Sequence, residues 1–160
     1  MTNNVLIADY SWSGNTAKLA TIIQQETSAD RLDLTVAAGT FSDDMYATAD
    51  VANQQLATGQ LPMLTSEQPR LDQVQLLLVG GPVWSGKVAT PVRSFLQQLQ
   101  GYQGTVAPFY TDAGTPGDYE TDFAKLVPSL SVATGLGVAA SELTQSNQLV
   151  ADWLQKLTVK

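Results

Sequence analysis

Short apolar runs alternate with helix-patterned segments along the whole chain, and this alternation restricts the fold more than any other feature of the sequence. Val5-Leu6-Ile7-Ala8 comes first. It is followed by Ala17, Ala20 and Ile23 at helical spacing, with Leu19 and Ile22 beside them. Arg31-Leu32-Asp33-Leu34-Thr35-Val36 alternates polar and apolar, as a half-exposed edge strand does. Leu76-Leu77-Leu78-Val79 is continuously apolar and ends in Gly80-Gly81-Pro82, the pattern of a central strand covered on both faces. Thr105 to Tyr110 reads as a fourth strand in which Pro108, without an N–H, demands a bulge or an unpaired position. A fifth strand, near Ser131 to Val138, is interrupted by Gly135 and Gly137.

Helical segments fill the gaps. Met45 to Ala57 and Asp118 to Leu126 are two of them. A third has Thr90 as N-cap and Pro91 at its first helical position, then Val92, Phe95, Leu96 and Leu99 on one face. Leu143 to Leu157 closes the chain with Val150, Trp153, Leu154 and Leu157 aligned. Gly59 to Arg70, holding Pro62 and Pro69, is an extended connection. The succession predicts one α/β domain over residues 1–160: a three-layer, doubly wound, five-stranded parallel sheet with helices on both faces. Ligands of such sheets sit beyond the carboxyl ends of the strands where strand order reverses, so the loops after strands one, three and four matter most.

Composition narrows the chemistry. With no Cys there is no disulfide, thiolate nucleophile, zinc finger or iron–sulfur ligation, and with no His the commonest general base and metal ligand is missing. Any chemistry must then come from carboxylates, hydroxyls, Lys or a bound cofactor; no metal site and no catalytic side chain is assigned. Fifteen acidic residues against eight basic ones give a net charge of −7, which repels nucleic acid and anionic membrane and suits a basic protein partner. Met1-Thr2-Asn3-Asn4 carries no basic leader, and no apolar run is long enough to span a bilayer, so a cytoplasmic protein is the default expectation.

The first loop reads Ser11-Trp12-Ser13-Gly14-Asn15-Thr16, between a strand and a helix start. Helix-start N–H groups lack intrahelical partners and favour an anion, the hydroxyls of Ser11, Ser13 and Thr16 add donors, and Gly14 permits close approach. Helix capping by Ser13 or Asn15 is the plainer reading of the same residues. The loop holds no Lys or Arg, so neutral groups alone would hold a phosphate. The third-strand loop is Gly80-Gly81-Pro82-Val83-Trp84-Ser85-Gly86-Lys87-Val88, with an aromatic on a glycine hinge. The fourth-strand loop, Thr111-Asp112-Ala113-Gly114-Thr115-Pro116-Gly117-Asp118-Tyr119, is a second glycine-rich wall.

With these three loops in this order, the whole chain resembles a flavodoxin. The first loop is similar to that family's hydroxyl-x-hydroxyl-Gly-x-Thr phosphate motif. Pro82-Val83-Trp84-x-Gly86, then Pro91-Val92-Arg93 and Phe95-Leu96, looks like its branch of small flavodoxin-like proteins. The resemblance implies strand order 2-1-3-4-5 and a bound FMN. Its phosphate would sit on Ser11, Trp12, Ser13, Gly14, Asn15 and Thr16. Its ring would lie between Pro82, Val83, Trp84, Ser85 and Gly86 on one side and Asp112, Ala113, Gly114 and Gly117 on the other. Two departures stand out: Ser85 where many relatives carry a second aromatic, and Asp112-Ala113 with Pro116 in a loop usually rich in Ser and Gly. Both imply a more open ring environment. Trp153 belongs to a helix face, while Tyr10, Tyr46, Tyr110 and Tyr119 are all candidates to approach the ring.

The implied function is a low-potential electron shuttle between larger redox enzymes, a monomer or weak dimer docking basic redox partners. The alternative is an NAD(P)H-dependent quinone or azo reductase on the same fold. Other readings fail on missing groups. Gly81 to Val88 is nearly a nucleotide-binding P-loop, but Val88 stands where a Mg²⁺-ligating hydroxyl belongs and Pro82 removes an N–H. A signalling receiver domain needs a phosphoacceptor acid where Gly80-Gly81 stands, and a low-molecular-weight phosphatase needs a Cys.

Overall fold

A computed structural model describes residues 4–158. Of the amino-terminal stretch inspected for a leader, Met1, Thr2 and Asn3 lie outside the described residues. The strands are β1 (Val5–Asp9), β2 (Asp30–Asp33), β3 (Leu76–Trp84), β4 (Lys87–Val88), β5 (Thr105–Asp112), β6 (Ser131–Val132) and β7 (Leu136–Ala139). The α-helices are α1 (Asn15–Thr27), α2 (Met45–Thr58), α3 (Thr90–Gln97), α4 (Tyr119–Leu126) and α5 (Asn147–Thr158). The sheet runs β2-β1-β3-β5-β6, with β4 beside β3 and β7 beside β5. All pairings within it are parallel except β3–β4. Counting β6 and β7 as one interrupted strand, the order is the expected 2-1-3-4-5.

Successive strand residues point to opposite faces, so each central strand feeds two cores. On one face Ala8, Leu77, Val79 and Val106 pack with Val92, Phe95, Tyr119 and Phe123. On the other, Ile7, Leu78, Ala107 and Phe109 pack with Leu19, Ile23, Val150 and Trp153. Trp153 is core, as its helical row predicts, and its indole N–H donates to the Thr134 carbonyl at 2.9 Å. Gly80 pairs with Phe109 across the sheet, and a Cβ there would lie 2.0 Å from the Phe109 ring.

Several local expectations are corrected. The second strand stops at Asp33, and beyond it Val36 makes an isolated antiparallel bridge to Leu64. The N-cap of α3 is Ala89, because Thr90 already has helical geometry and its hydroxyl donates to Gln55 at 2.7 Å. The closing helix is two pieces: a 3₁₀ turn over Ala140–Gln145, then α5 after Ser146. Pro108 stays in register with Val79, and its consequence appears on the other side. Thr105 N–H bonds toward β3 and the Val106 carbonyl bonds toward Ala133, so by alternation Pro108 faces the fifth-strand side. There β6 ends and β7 begins, with Gly135 against the Pro108 ring and carbonyl. Glu120 seals the break, accepting from the Gly135 N–H at 2.9 Å and the Tyr110 hydroxyl at 2.6 Å.

Candidate functional site

Between the carboxyl ends of β3 and β5 and the start of α2 lies a cavity of about 520 Å³. From the first loop it is lined by Trp12, Ser13 and Asn15. Pro82, Val83, Trp84 and Ser85 come from the third-strand segment, and Asp112 and Ala113 from the fourth. Ser11, Gly14, Thr16, Gly86, Gly114 and Gly117 are not among the residues that line it.

The first loop has the geometry of an anion cradle. Gly14, at φ 99°, is the N-cap of α1 and offers no side-chain cap. The Ser11 hydroxyl oxygen accepts from the Gly14 N–H at 3.0 Å and from the Ala17 N–H at 3.2 Å. Among the described residues no acceptor meets the N–H groups of Ser13, Asn15 and Thr16. Neither Ser13 nor Asn15 caps the helix. Thr16 departs from expectation: its side chain is buried and its hydroxyl shares a 2.7 Å hydrogen bond with that of Thr111. Thr16 therefore offers its amide to the cradle while its hydroxyl ties α1 to β5.

Below the cradle, Asp9 ends β1 and is almost fully buried. The Arg31 guanidinium grips it bidentately at 2.9 and 3.1 Å and also reaches the Ala17 carbonyl at 3.4 Å. Burial nonetheless pushes the Asp9 carboxyl above its ordinary value, Arg31 offsetting it only in part. The hydrogen bond to Asp9 raises Arg31 in turn.

The third-strand segment is more ordered than a loop. β3 continues to Trp84, and Ser85 (φ 53°) and Gly86 (φ 75°) make a two-residue turn with both residues left-handed, which returns the chain as β4. Trp84 is half-buried, its ring centroid 5.1 Å from that of Phe41 and 5.8 Å from that of Tyr10, both in T-shaped contacts. Rather than an aromatic on a free hinge, it is a strand residue with one side packed. The fourth-strand loop meets this hairpin at Gly117, where a Cβ would fall 2.5 Å from the Gly86 Cα, and the Asp118 N–H donates to the Gly86 carbonyl at 3.1 Å. The Asp112 carboxylate accepts from the Gly114 N–H at 2.7 Å, closing the first bend of that loop.

Of the tyrosines, Tyr46 lines the cavity and is 78% exposed. Tyr10 backs Trp84, and burial pushes its phenol up to about 12. Tyr110 and Tyr119 stack on each other at 4.4 Å inside the α4 face, both raised by burial. The sequence reading missed the α2 wall, formed by Met45, Thr48, Ala49, Ala52 and Asn53, and the Phe41 buttress. The small residues of α2 are the one signal for that wall, since they leave room, but only the packing shows for what. Among the described residues no basic side chain lines the cavity, and Asp112 is the one carboxyl side chain there. The exposed Asp43, Asp44 and Asp118 lie in the segments bordering it.

No protein-family model matches the chain, and no curated protein does. Solved structures do. A flavoprotein from Lactobacillus acidophilus NCFM, crystallised in complex with FMN, is 35% identical, with a TM-score of 0.81 over 89% of this chain and 97% of that one. A candidate flavoprotein from Bacteroides eggerthii DSM 20697 is 20% identical, with a TM-score of 0.79 over 98% of this chain and 99% of that one. An NADH:FMN oxidoreductase in its apo form is 14% identical, with a TM-score of 0.56 over 99% and 92% of the two chains. The last two share the fold.

Proposed function

The chain belongs to the flavodoxin-like flavoproteins, and on that premise we propose that it binds FMN at the carboxyl ends of β1, β3 and β5 and carries electrons between redox proteins. The carrying observation is the pairing of unsatisfied helix-start amides at Ser13, Asn15 and Thr16 with an adjoining cavity walled by Trp12, Tyr46 and Trp84. A phosphate satisfies the amides, and a planar apolar ring fills the space between the aromatics, so the residues present fit the group. When bound, FMN supplies one- and two-electron chemistry. The protein's own part is to bind and to tune. Ser11 retains a hydroxyl hydrogen for a phosphate oxygen, and the amides neutralise phosphate charge without a cation. Trp84 and Trp12 exclude water from the ring faces. A cavity with one acid and no base disfavours added negative charge, which supports a low-potential donor.

The partners proposed are redox proteins with basic docking surfaces. The acidic surplus and the exposed Asp43, Asp44 and Asp118 beside the cavity support this. Titration of the apoprotein with FMN and with riboflavin tests the cofactor and the cradle together: FMN binds more tightly, and equal affinities overturn the phosphate assignment. One observation favours a second reading, an NAD(P)H-dependent quinone or azo reductase. The cavity extends past Trp84 along α2 to Ala52, Asn53 and Leu56, leaving room for a small acceptor. Steady-state NAD(P)H oxidation by the purified protein with a quinone separates the two, since a shuttle turns over only with a protein reductase.

A further inference from the structure

The hairpin that presents Trp84 ends in a two-residue strand, and such a strand has a backbone problem to solve. Trp84 and Lys87 flank its two-residue turn, so they form the hydrogen-bonded pair, and the next pair, Val83 with Val88, does not exchange bonds. The N–H and C=O of Val88 therefore face away from β3. Val88 is 1% exposed, and buried backbone groups need partners. Both come from one ion pair. The Val88 carbonyl accepts from Arg93 Nε at 2.9 Å, and the Val88 N–H donates to Asp122 Oδ2 at 3.0 Å. Arg93 Nη2 donates to the same Asp122 oxygen, closing the ring. Arg93 stands on α3 and Asp122 on α4, with side chains 10% and 18% exposed. Neither lines the ring cavity.

We propose that Arg93 and Asp122 are positioning residues of the flavin ring site, acting through Val88 to fix the plane in which Trp84 meets the ring. The proposal rests on the FMN reading above and assigns the pair a role beyond it. The clamp holds the backbone of Val88, whose N–H and C=O the sheet does not engage. Phe41 and Tyr10, neither of which lines the cavity, pack against the Trp84 ring, so the ring is braced by the core while its strand is braced by the clamp. The guanidinium fork is needed because one donor must reach a carbonyl and another a carboxylate at a fixed angle, which a lysine ammonium does not do. The phosphate cradle lies on α1, remote from α3 and α4 in the chain. Loss of the clamp therefore weakens ring binding without altering the preference for a phosphate.

The test compares the parent with Arg93→Met, Arg93→Lys and Asp122→Asn, at a temperature where far-UV circular dichroism shows each folded. Affinities for FMN and riboflavin and the visible circular dichroism of the bound flavin are read for each. Arg93→Met is expected to weaken both flavins about tenfold and in equal proportion, and to change the visible dichroic band. Arg93→Lys does not restore the parent values. Asp122→Asn, which keeps an acceptor for Val88, shifts them in the same direction by less, and it decides the question if Arg93→Met does not fold. Folded variants whose two affinities and dichroic band match the parent's overturn the proposal, as does a loss confined to FMN. A parent that binds neither flavin refutes the FMN reading instead. The clamp is then decided by Val88 amide exchange in the apoprotein: at least tenfold faster in the variants supports it, and unchanged exchange overturns it.

Discussion

The hydroxyl pair between Thr16 and Thr111 makes a prediction that separates folding from ligand binding. Both side chains are buried, at 1% and 3% exposure, and their oxygens lie 2.7 Å apart. Replacing Thr16 with Val keeps the shape, removes the hydroxyl and strands that of Thr111 in the interior. An unsatisfied buried hydroxyl costs about 1–3 kcal/mol, whereas replacing both partners by apolar isosteres is nearly neutral. Thr16→Val and Thr111→Val should each destabilise the apoprotein by about 2 kcal/mol, lowering Tm by about 4–8 °C for a domain of this size. The double variant should be nearly neutral and so more stable than either single one, giving a coupling of about 4 kcal/mol. Urea unfolding of all four proteins without flavin measures this, since bound ligand would add its own stabilisation. Because the Thr16 amide survives the substitution, the ratio of FMN to riboflavin affinity should not move in Thr16→Val. Single-variant losses that add up in the double variant would refute the shared bond, and a collapse of the affinity ratio would return the Thr16 hydroxyl to the phosphate.

Three further perturbations follow from the geometry. Trp84→Ala should weaken FMN by about 1–3 kcal/mol through lost stacking and burial, and should relieve quenching of flavin fluorescence; unchanged affinity and fluorescence would show that the ring lies elsewhere. Ser85→Asn places the residue preferred for a left-handed φ at the first turn position and should raise Tm by about 1–3 °C; a fall in Tm would mean that the Ser85 side chain holds something Asn cannot. Asp9 has a folded-state carboxyl value raised by burial, so near and above its ordinary value of 3.8 the folded protein holds its proton more tightly than the unfolded chain does. Its contribution is present at low pH and lost as pH rises through the folded value, so parent stability relative to Asp9→Asn should fall with rising pH across that window, and a rise would show that Arg31 outweighs burial.

The parallel sheet was legible because the period of the apolar residues changes along the chain from strand to helix, and Leu76–Val79 admits no solvent-facing alternative. The first loop was legible as a helix start beside a strand end. Two things were not. The sequence marks Thr16 as a hydroxyl but not its direction, which depends on Thr111 arriving from a strand nearly a hundred residues later. Trp84 read as a loop aromatic because Gly80, Gly81 and Pro82 look like strand breakers, yet Gly80 is selected by the Phe109 ring beside it and the strand runs on. The α2 wall was invisible for a related reason: Thr48, Ala49 and Ala52 mark a place where something fits only once the hairpin stands opposite.

The interruption at Pro108 has a consequence for how copies of this chain meet one another. An open sheet ends in two rims of unpaired N–H and C=O groups, and long flat rims invite other strands to add. Here one rim is β2, four residues long and charged at Asp30, Arg31 and Asp33, and beyond it Thr35 and Val36 are already occupied by Thr65 and Leu64. The other rim is cut by the proline into a piece of two residues and a piece of four, the second carrying Gly137. Neither rim presents a run on which a foreign strand can nucleate. Replacing Pro108 with a residue that restores the N–H would remove the reason for the break, and edge-to-edge self-association would be the hazard to watch for.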